Sequence, residues 1–360
     1  MADGLEGVIA AETRLSLVDG QAGRLVIAGH DVESLVDGPP FEAMLAMLWN
    51  GLVPDLPTMA ELARRLGEAR VTVFRMLAHR VPHVSGLEPM DALRALVAQL
   101  PDGDGLDTAL LLAAAPAVLT PAIVRARGGR DPIAPDLARD HAADMLAMLG
   151  GPADLDRARA LAAYLAIVSD HGLNASTFAA RVVASTRAGL TSAVTAGLGA
   201  LKGPLHGGAP GPVIDMLDAI GSVGRAEAWL EAALDRGERL MGFGHRIYRV
   251  RDPRADALKR VIALRLADAS GERLDLARAV EGAALGALRR RKPDRSLDVN
   301  VEFYTALLLE ALGFPREAFT CVFAAGRVGG WIAHAAEQVS SGRLIRPQSR
   351  YVGPMPSEAA

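Results

Sequence analysis

The sequence predicts an all-α protein, almost entirely helical, with one small β-hairpin near its N-terminus. Half of the 360 residues are hydrophobic but only 4% are aromatic, and alanine and leucine dominate over β-branched residues. Apolar residues recur every three or four positions in successive segments that glycine or proline separates. Only residues 12–28 differ, because apolar and polar residues alternate there around a glycine-containing turn, which is typical of a hairpin.

The length and charge of the chain limit the classes of function that it fits. A chain of 360 residues is long enough for about two domains, and its formal charge of −3 gives no basic surface for nucleic acid or an anionic membrane. The N-terminus lacks the basic and apolar regions of a signal peptide. The most apolar run, residues 109–124, is shorter than the ~18 residues of a membrane span. Pro116 and Pro121 interrupt it, so we expect a buried, bent helix or helix pair.

A lone cysteine and the absence of metal-binding patterns narrow the chemistry further. Cys321 has no possible internal disulfide partner, which favours a cytoplasmic location. Its apolar neighbours favour an inert core thiol over a catalytic one. The sequence contains no paired cysteines, no His-x-x-x-His on a predicted helix, no calcium loop and no phosphate-binding loop, so we expect no metal.

Three connections between predicted helices combine a histidine with glycine or polar residues. They are SDHGLNAST (169–177), KGPLHGGAP (202–210) and MGFGHRIYRVRDPRA (241–255). Glycines beside His206 let a ligand approach the backbone, although a helix C-cap explains them equally well. For His171, a hydrogen-bonded core histidine is the simpler interpretation.

Charged residues near these connections admit two interpretations. After His245 come four arginines, and Asp252 with Pro253 is typical of a helix start. The arginines form either a solvated face or a site for phosphate and carboxylate groups: Arg246, Arg249, Arg251 and Arg254. Arg327 lies in an apolar, glycine-rich segment and therefore needs a partner. Glu302 opens an apolar helical run, where a helix dipole would hold its carboxylate ionised, and is either a first-turn acid or a reagent.

Taken together, these segments closely resemble the citrate synthase family. The matching stretches lie in the family's order along nearly the full chain: GLEGVIAAETRLSLVDG, PMDALRALV, SDHGLNAST, ALKGPLHGGAP, GFGHRIYRVRDPRADAL, NVEFYTALLLEALGFPREAFTCVFAAGRVGGWIAHAAEQ and RLIRPQSRYVGP. The resemblance implies a short, dimeric enzyme that condenses acetyl-CoA with oxaloacetate to give citrate and CoA. It implies no permanently bound cofactor. It also implies a large domain (1–208 and 314–360) and a small inserted domain (209–313).

The resemblance also implies roles for individual residues. His206 would stabilise the enol of the thioester, His245 would polarise the ketone of oxaloacetate, and Glu302 would be the general base. His171, Arg254 and Arg327 would hold carboxylates, and Arg346 would enter the site of the neighbouring subunit. The CoA phosphate and adenine would contact Arg249 and a loop formed by Leu240, Met241, Gly242, Phe243 and Gly244.

The sequence departs from the family pattern mainly at the base. The family uses aspartate where this chain has Glu302, and a displacement of about 1 Å can cost on the order of a hundredfold in rate. Two alternatives stay open beside citrate synthase. One is a 2-methylcitrate synthase that uses propionyl-CoA, since one methylene gives only ~10–200-fold discrimination. The other, which Glu302 favours, is a paralogue without turnover. A helical scaffold without catalytic function is disfavoured, because it would not need glycine-flanked histidines.

Overall fold

The structure, a computed structural model, describes residues 4–5, 7–207, 210–245, 247–292 and 297–356. The predicted all-α class is confirmed, because the segments with helical periodicity form helices. In chain order the helices are α1 (Phe41–Trp49), α2 (Met59–Leu77), α3 (Val81–Val84), α4 (Pro89–Val97), α5 (Leu106–Arg127), α6 (His141–Leu149), α7 (Leu155–Ile167), α8 (Ala175–Ala184), α9 (Leu190–Leu201), α10 (Pro210–Ile220), α11 (Ala226–Asp235), α12 (Pro253–Arg265), α13 (Ala267–Arg291), α14 (Val301–Ala311) and α15 (Phe319–Ser341). Short 3-10 turns occupy Val32–Asp37, Ala78–Arg80, Val223–Arg225 and Arg316–Ala318.

The N-terminal hairpin is present and gains a third strand. Strands β1 (Ser16–Asp19) and β2 (Arg24–Ile27) pair antiparallel, with Ser16 opposite Ile27. The sequence did not predict β3 (His30–Asp31), which adds to the other edge of β2. The turn between β1 and β2 packs on the loop before α12, because the Arg249 amide donates to the Gly20 carbonyl at 2.8 Å.

Helix α5 forms the centre of the core and is longer than the sequence predicted. The predicted burial of the apolar run is confirmed. The prediction of a length too short for a membrane span was wrong, because the helix extends beyond this run at both ends. Both prolines lie inside one 22-residue helix. Among the described residues it is the one helix long and apolar enough to cross a membrane, and 78% of its most apolar window is buried inside the protein. Its contacts with α2, α4, α6 and α15 identify it as a core helix.

Glycines bring α15 against the end of α7. A Cβ atom on Gly330 would lie 2.2 Å from the Ser169 carbonyl oxygen, and one on Gly326 would lie 2.5 Å from a Val168 methyl group. Only glycine permits this approach, which places Arg327 beside the loop that carries His171. Cys321, on the same helix, is fully buried, and burial raises the pKa of its thiol, so the prediction of a core cysteine is confirmed.

Helices α10 to α14 make up most of the small domain that the sequence predicts. Within this group α10, α12 and α13 all contact α14, and α12 also contacts α7. The proposed boundary at Gly208 and Ala209 lies outside the described residues, so the division into domains stays a prediction. What the packing establishes is that α12 and α14 lie against each other, with their N-terminal ends carrying Arg254 and Glu302.

Candidate active site

The loops that precede α8 and α12 bring His171 and His245 together. Their ring centroids are 5.8 Å apart in an edge-to-face arrangement. The His171 Nε2 atom lies 3.0 Å from the hydroxyl of Tyr248, and the His245 ring is 4.7 Å from the ring of Tyr248. His171 and Tyr248 are buried. The simpler interpretation of His171, a hydrogen-bonded histidine, therefore holds, but its partner belongs to the same cluster of functional candidates.

The hydrogen bonds of His245 determine which of its nitrogens faces a ligand. Its Nδ1 atom accepts from the backbone amides of Ile247 (3.0 Å) and Tyr248 (3.1 Å). An acceptor nitrogen carries no proton, so the ring proton lies on Nε2. Nε2 is 3.3 Å from Nη2 of Arg254, which is also a donor. Two donors this close together can both reach one ligand oxygen that lies to one side of them.

Asp252 ties this histidine loop to two helices. Its carboxylate caps α12 by accepting from the Arg254 amide, and it binds the Arg254 guanidinium through Nε (3.0 Å) and Nη2 (2.8 Å). It also accepts from the Val301 amide at the start of α14 (3.1 Å). Arg254 was predicted to be a carboxylate holder, and here one edge of its guanidinium is already paired. The pair fixes the side chain in place, since Asp252 and Arg254 are both buried.

A second link joins the histidine loop to α14. Asn300 caps α14 by accepting from the Glu302 amide (3.1 Å), and its side-chain amide donates to the Gly244 carbonyl (2.9 Å). The backbone amide of Asn300 also donates to the Gly242 carbonyl, and the backbone amide of Gly244 donates to the Asp298 carbonyl. The loop that ends in His245 and the helix that begins with Glu302 are therefore held as one unit.

Arg327 is a buried cation with a free donor. Its Nε donates to the Val168 carbonyl at 2.6 Å, and its guanidinium lies 4.9 Å from the Phe323 ring centroid. Its Nη2 has no hydrogen-bond partner among the described residues. Burial lowers the pKa of Arg327 to about 10, against the opposing effect of Asp170. A buried donor without an acceptor is costly, and an anionic ligand would satisfy it.

His206 follows α9 in a tight turn and contacts α8 through Ser176. The His206 Nε2 atom is 2.8 Å from the Ser176 hydroxyl, which also accepts from the Trp331 indole at 3.2 Å. The same hydroxyl is 2.7 Å from the Asn174 carboxamide oxygen, so its one proton goes either to Asn174 or to His206. Burial lowers the pKa of His206 to about 4, with Arg327 and Arg254 acting in the same direction.

Glu302 has the electrostatics of a base rather than of an ordinary surface acid. Its side chain is half-buried in the first turn of α14. Burial raises the pKa of Glu302 to about 7, and Arg254 only partly opposes that shift. The sequence predicts that the helix dipole holds this carboxylate ionised, whereas burial acts in the opposite direction and favours the protonated form. A pKa near neutrality suits a group that must both accept and release a proton.

The histidines and arginines share one electrostatic environment. Burial lowers the pKa of His171 well below its ordinary value, and the charges of Arg254 and Arg327 lower it further, as do His245 and His206. Burial, reinforced by Arg254, likewise lowers the pKa of His245 to about 4. The structure therefore brings these five predicted site residues close together, and Glu302 joins them through Arg254. All three histidines are neutral at physiological pH.

The residues predicted to bind CoA lie on both sides of His245: residues 240–244 precede it and Arg249 follows it. Gly242 and Gly244 have φ values of +82° and +83°, and a Cβ atom on Gly242 would lie 2.8 Å from the Phe303 Cβ, so both positions need glycine. Phe243 pairs with Val299 in an isolated bridge, Leu240 is buried, and Met241 is partly buried. The Arg249 side chain is exposed, whereas Arg246 lies outside the described residues.

The structure does not bring Arg346 to the histidines of its own chain. It lies in the coil that follows α15, is exposed, and makes no hydrogen bond or ion pair with any residue that the structure describes. The described residues also contain no group of three or more histidine, cysteine, aspartate or glutamate side chains arranged for a metal.

Sequence reasoning missed several residues of the site. Tyr248 lies two positions after Arg246 in the third histidine stretch. It is the one aromatic residue among the four arginines there, which could have marked it as a site residue. Ser176 and Asn174 belong to the quoted SDHGLNAST, yet only their capping role was readable locally. His334 and Asp170 form a further buried pair, with 3.1 Å between Nε2 and a carboxylate oxygen. Nothing in the sequence pairs residues 164 positions apart.

Comparison with known proteins identifies the family. The family described as citrate synthase, C-terminal domain, matches residues 4–348. The chain belongs to the citrate synthase family. A citrate synthase of Haloferax volcanii is 39% identical over 97% of this chain and 95% of its own length. A 2-methylcitrate synthase of Corynebacterium glutamicum is 35% identical over 99% of this chain and 96% of its own.

Solved structures agree with this assignment in fold. The crystal structure of citrate synthase from Thermotoga maritima has a TM-score of 0.86 and 35% identity, covering 99% of this chain and 97% of that one. Citrate synthase from Thermoplasma acidophilum, in a ternary complex with carboxymethyl coenzyme A and oxaloacetate, has a TM-score of 0.85 and 29% identity, with the same coverage. The chain is thus an acyltransferase of the citrate synthase type, with the citrate synthase fold.

Proposed function

We propose that this enzyme condenses acetyl-CoA with oxaloacetate to give citrate and CoA. The observation that carries the proposal is a group of donors that could take a ligand acceptor. Among the described residues Nη2 of Arg327 is buried without a partner, and Nε2 of His245 lies beside Nη2 of Arg254, whose guanidinium is paired with Asp252 along one edge. Oxaloacetate supplies two carboxylates and a ketone oxygen, and buried guanidinium groups bind carboxylates strongly. The complex of the Thermoplasma acidophilum relative contains this 2-oxo acid.

In this proposal oxaloacetate binds first to the cationic pocket. Arg327 and Arg254 hold its carboxylates, while His171 is oriented by the Tyr248 hydroxyl to donate to one of them. The Nε2–H of His245 donates to the ketone oxygen, which makes the ketone carbon more electrophilic. Its orientation is fixed by the two backbone amides that bind Nδ1.

The thioester is activated by the second pair of residues. Glu302 removes a proton from the acyl methyl group, and His206 donates to the thioester oxygen as negative charge develops there. For His206 to donate in this way, its Nε2 must accept a hydrogen bond from the Ser176 hydroxyl, so that the ring proton lies on Nδ1. The carbon nucleophile then attacks the ketone carbon, and the ketone oxygen takes up a proton. Water hydrolyses the new thioester to release citrate and the CoA thiol.

The CoA moiety would lie along the loop that precedes His245. Residues 240–244 are fixed by hydrogen bonds to residues 298–300, and two glycines keep the backbone accessible. The exposed Arg249 is available for a phosphate group. No permanently bound cofactor is needed, because the reaction uses only the co-substrate thioester and water.

A second acyl group stays a candidate, because a relative named 2-methylcitrate synthase covers nearly the whole chain. Propionyl-CoA differs by one methylene, which a hydrophobic pocket discriminates by only about 10–200-fold. Release of free thiol with oxaloacetate and each thioester in turn tests both proposals. We expect release with acetyl-CoA; a higher kcat/KM with propionyl-CoA would favour the second function, and no thiol with either would exclude both.

We also propose a homodimer in which Arg346 completes the neighbour's site. The coil after α15 exposes large apolar side chains that a partner would cover: Leu344, Tyr351, Val352 and Met355. The division into a large domain (1–208, 314–360) and a small domain (209–313), and the cytoplasmic location, stay predictions of the sequence.

Mixed dimers test the role of Arg346. Arg346→Ala and Glu302→Gln homodimers should both be nearly inactive, because each lacks a part of every site. Mixing them should restore up to about one active site per mixed dimer, since one of its two sites then has both residues. Thiol release after subunit exchange measures this. An Arg346→Ala homodimer with unchanged KM for oxaloacetate would contradict the shared site.

The raised pKa of Glu302 predicts an acidic limit to the rate. The base works only when deprotonated, so kcat/KM should fall about tenfold for each pH unit below the pKa of about 7. The site histidines do not cause this limb, because the pKa values of His206 and His245 are lowered to about 4. The pH profile of thiol release between pH 5 and 9 checks it. A flat profile down to pH 5 would show that the base has an ordinary carboxyl pKa.

A further inference from the structure

A buried chain of hydrogen bonds leads from Arg181 through His334 to the carboxylate beside His171. His334 Nε2 lies 3.1 and 3.2 Å from the two carboxylate oxygens of Asp170. His334 Nδ1 lies 3.0 Å from Nη1 of Arg181, which also donates to Glu337 at 2.6 Å. The side chains of this chain are all buried, and none of them belongs to the reaction as proposed above.

The partners of His334 determine where its proton lies. Arginine has no acceptor, so Nδ1 of His334 must accept from Arg181, and the ring proton therefore lies on Nε2. Nε2–H then donates to Asp170. A hydrogen bond at one ring nitrogen of a histidine commonly fixes the tautomer and orients the other nitrogen toward its partner. Here the bond from Arg181 fixes His334 in this way. Reversal of the tautomer would break both bonds at once.

Asp170 occupies a position where its orientation matters for substrate. It immediately precedes His171, and its negative charge opposes the lowering of the pKa of Arg327 by burial. The segment is anchored on both sides, because Arg327 donates to the Val168 carbonyl and the Gly172 amide donates to Ser16 at 2.9 Å. Between these two contacts, the Asp170 carboxylate is anchored by His334, and the His171 ring is anchored by Tyr248.

We propose that His334 is a positioning residue for oxaloacetate binding: it fixes the Asp170 carboxylate, and through it the loop of His171 and the counter-charge of Arg327. The proposal rests on the proposed function, in which His171 and Arg327 bind the substrate carboxylates. His334 itself does not touch the reacting atoms. Loss of this link should therefore weaken oxaloacetate binding and leave the acyl-CoA side of the site unchanged.

The chain offers a matched control for the loss of a buried histidine. His141 is also fully buried, stacks on Phe41 with 4.5 Å between ring centroids, and has no described partner for either ring nitrogen. It lies on α6, outside the candidate site. His141→Phe thus removes a buried imidazole without removing a bond to Asp170. His334→Phe removes both a buried imidazole and the hydrogen bond to Asp170.

The experiment compares full-length variants in thiol release and in direct calorimetric binding of oxaloacetate. We expect His334→Phe and Asp170→Asn to raise the KM and Kd for oxaloacetate by about 5- to 100-fold, the range for a broken buried hydrogen bond. The KM for acetyl-CoA should change less than about threefold. His334→Gln, which has both a donor and an acceptor, should recover most of the affinity. His141→Phe should alter neither constant, whatever it does to thermal stability.

Three results would overturn the proposal. The first is an unchanged KM for oxaloacetate in folded His334→Phe, the second is equal effects of His334→Phe and His141→Phe, and the third is an Nδ1–H tautomer of His334 in ¹⁵N spectra of the wild-type protein. Should His334→Phe fail to fold, Asp170→Asn and His334→Gln decide the matter alone. Wild-type protein that releases no thiol would instead refute the proposed function, and the tautomer measurement would still test the arrangement around His334.

Discussion

Replacement of Glu302 by glutamine is expected to lower kcat by about 10²–10⁴-fold, the usual contribution of a general base. Glutamine keeps the size and the first-turn position of the side chain but cannot accept the methyl proton. Binding of oxaloacetate should change little, because the cationic pocket is intact. Steady-state thiol release and calorimetric binding together measure the two effects. An active glutamine variant would place the base elsewhere.

Stability gives a control for this variant. Because burial raises the pKa of Glu302 to about 7, the folded protein holds this proton more tightly than the unfolded chain. The ionised carboxylate therefore opposes folding fully at pH values above about 7, and this unfavourable effect declines as the pH falls from about 7 to the ordinary carboxyl pKa, below which it is absent. Glu302→Gln should accordingly raise the thermal unfolding midpoint at pH 8. A loss of activity with lower stability would indicate a folding defect instead.

The aspartate variant tests whether a glutamate suits this position. Glu302→Asp shortens the side chain by one methylene, and a misplacement of about 1 Å can cost on the order of a hundredfold. If the backbone around Asn300 and Val301 is set for glutamate, the aspartate variant should be slower than wild type but faster than the glutamine variant. A variant faster than wild type would mean that the backbone still fits the shorter acid that the family pattern has.

Replacement of His206 by alanine should lower kcat by about 10²–10³-fold, the typical effect of losing one donor to a developing oxyanion. The KM for oxaloacetate should stay nearly constant, because His206 acts on the thioester. Exposed His83 provides the control, since His83→Ala removes an imidazole on α3, outside the candidate site, and should leave the rate unchanged. A His206→Ala variant that lost oxaloacetate affinity but kept kcat would contradict the assigned role.

Local rules predicted most of the fold but not its dimensions. Helical periodicity and capping residues such as Asp252 and Asn300 depend on near neighbours, so they are readable from the sequence. The length of α5 was not, because tertiary packing carries the helix through Pro116 and Pro121. Strand β3 has only two residues and no alternation of its own.

The residues of the candidate site that have unusual sequence neighbours could be predicted, whereas the contacts between them could not. Glycine-flanked histidines and a lone arginine in an apolar helix are visible in the sequence, and the structure brings His171, His206 and His245 together with Arg254 and Arg327. The raised pKa of Glu302 was not predictable, since it depends on burial by distant elements. The bond of His334 to Asp170 joins α15 to the loop between α7 and α8, far apart in the chain, so only the fold reveals it.

A crystal structure of this protein with oxaloacetate and carboxymethyl coenzyme A bound would test the central claim most directly. We predict that His245 Nε2 and the ketone oxygen lie within about 2.6–3.2 Å, with the substrate carboxylates on Arg254 and Arg327. We also predict that His206 and Glu302 flank the analogue at the position of the acyl group. Ligands bound with Glu302 turned away from the acyl position, or with Arg327 still unpartnered, would contradict the proposed mechanism.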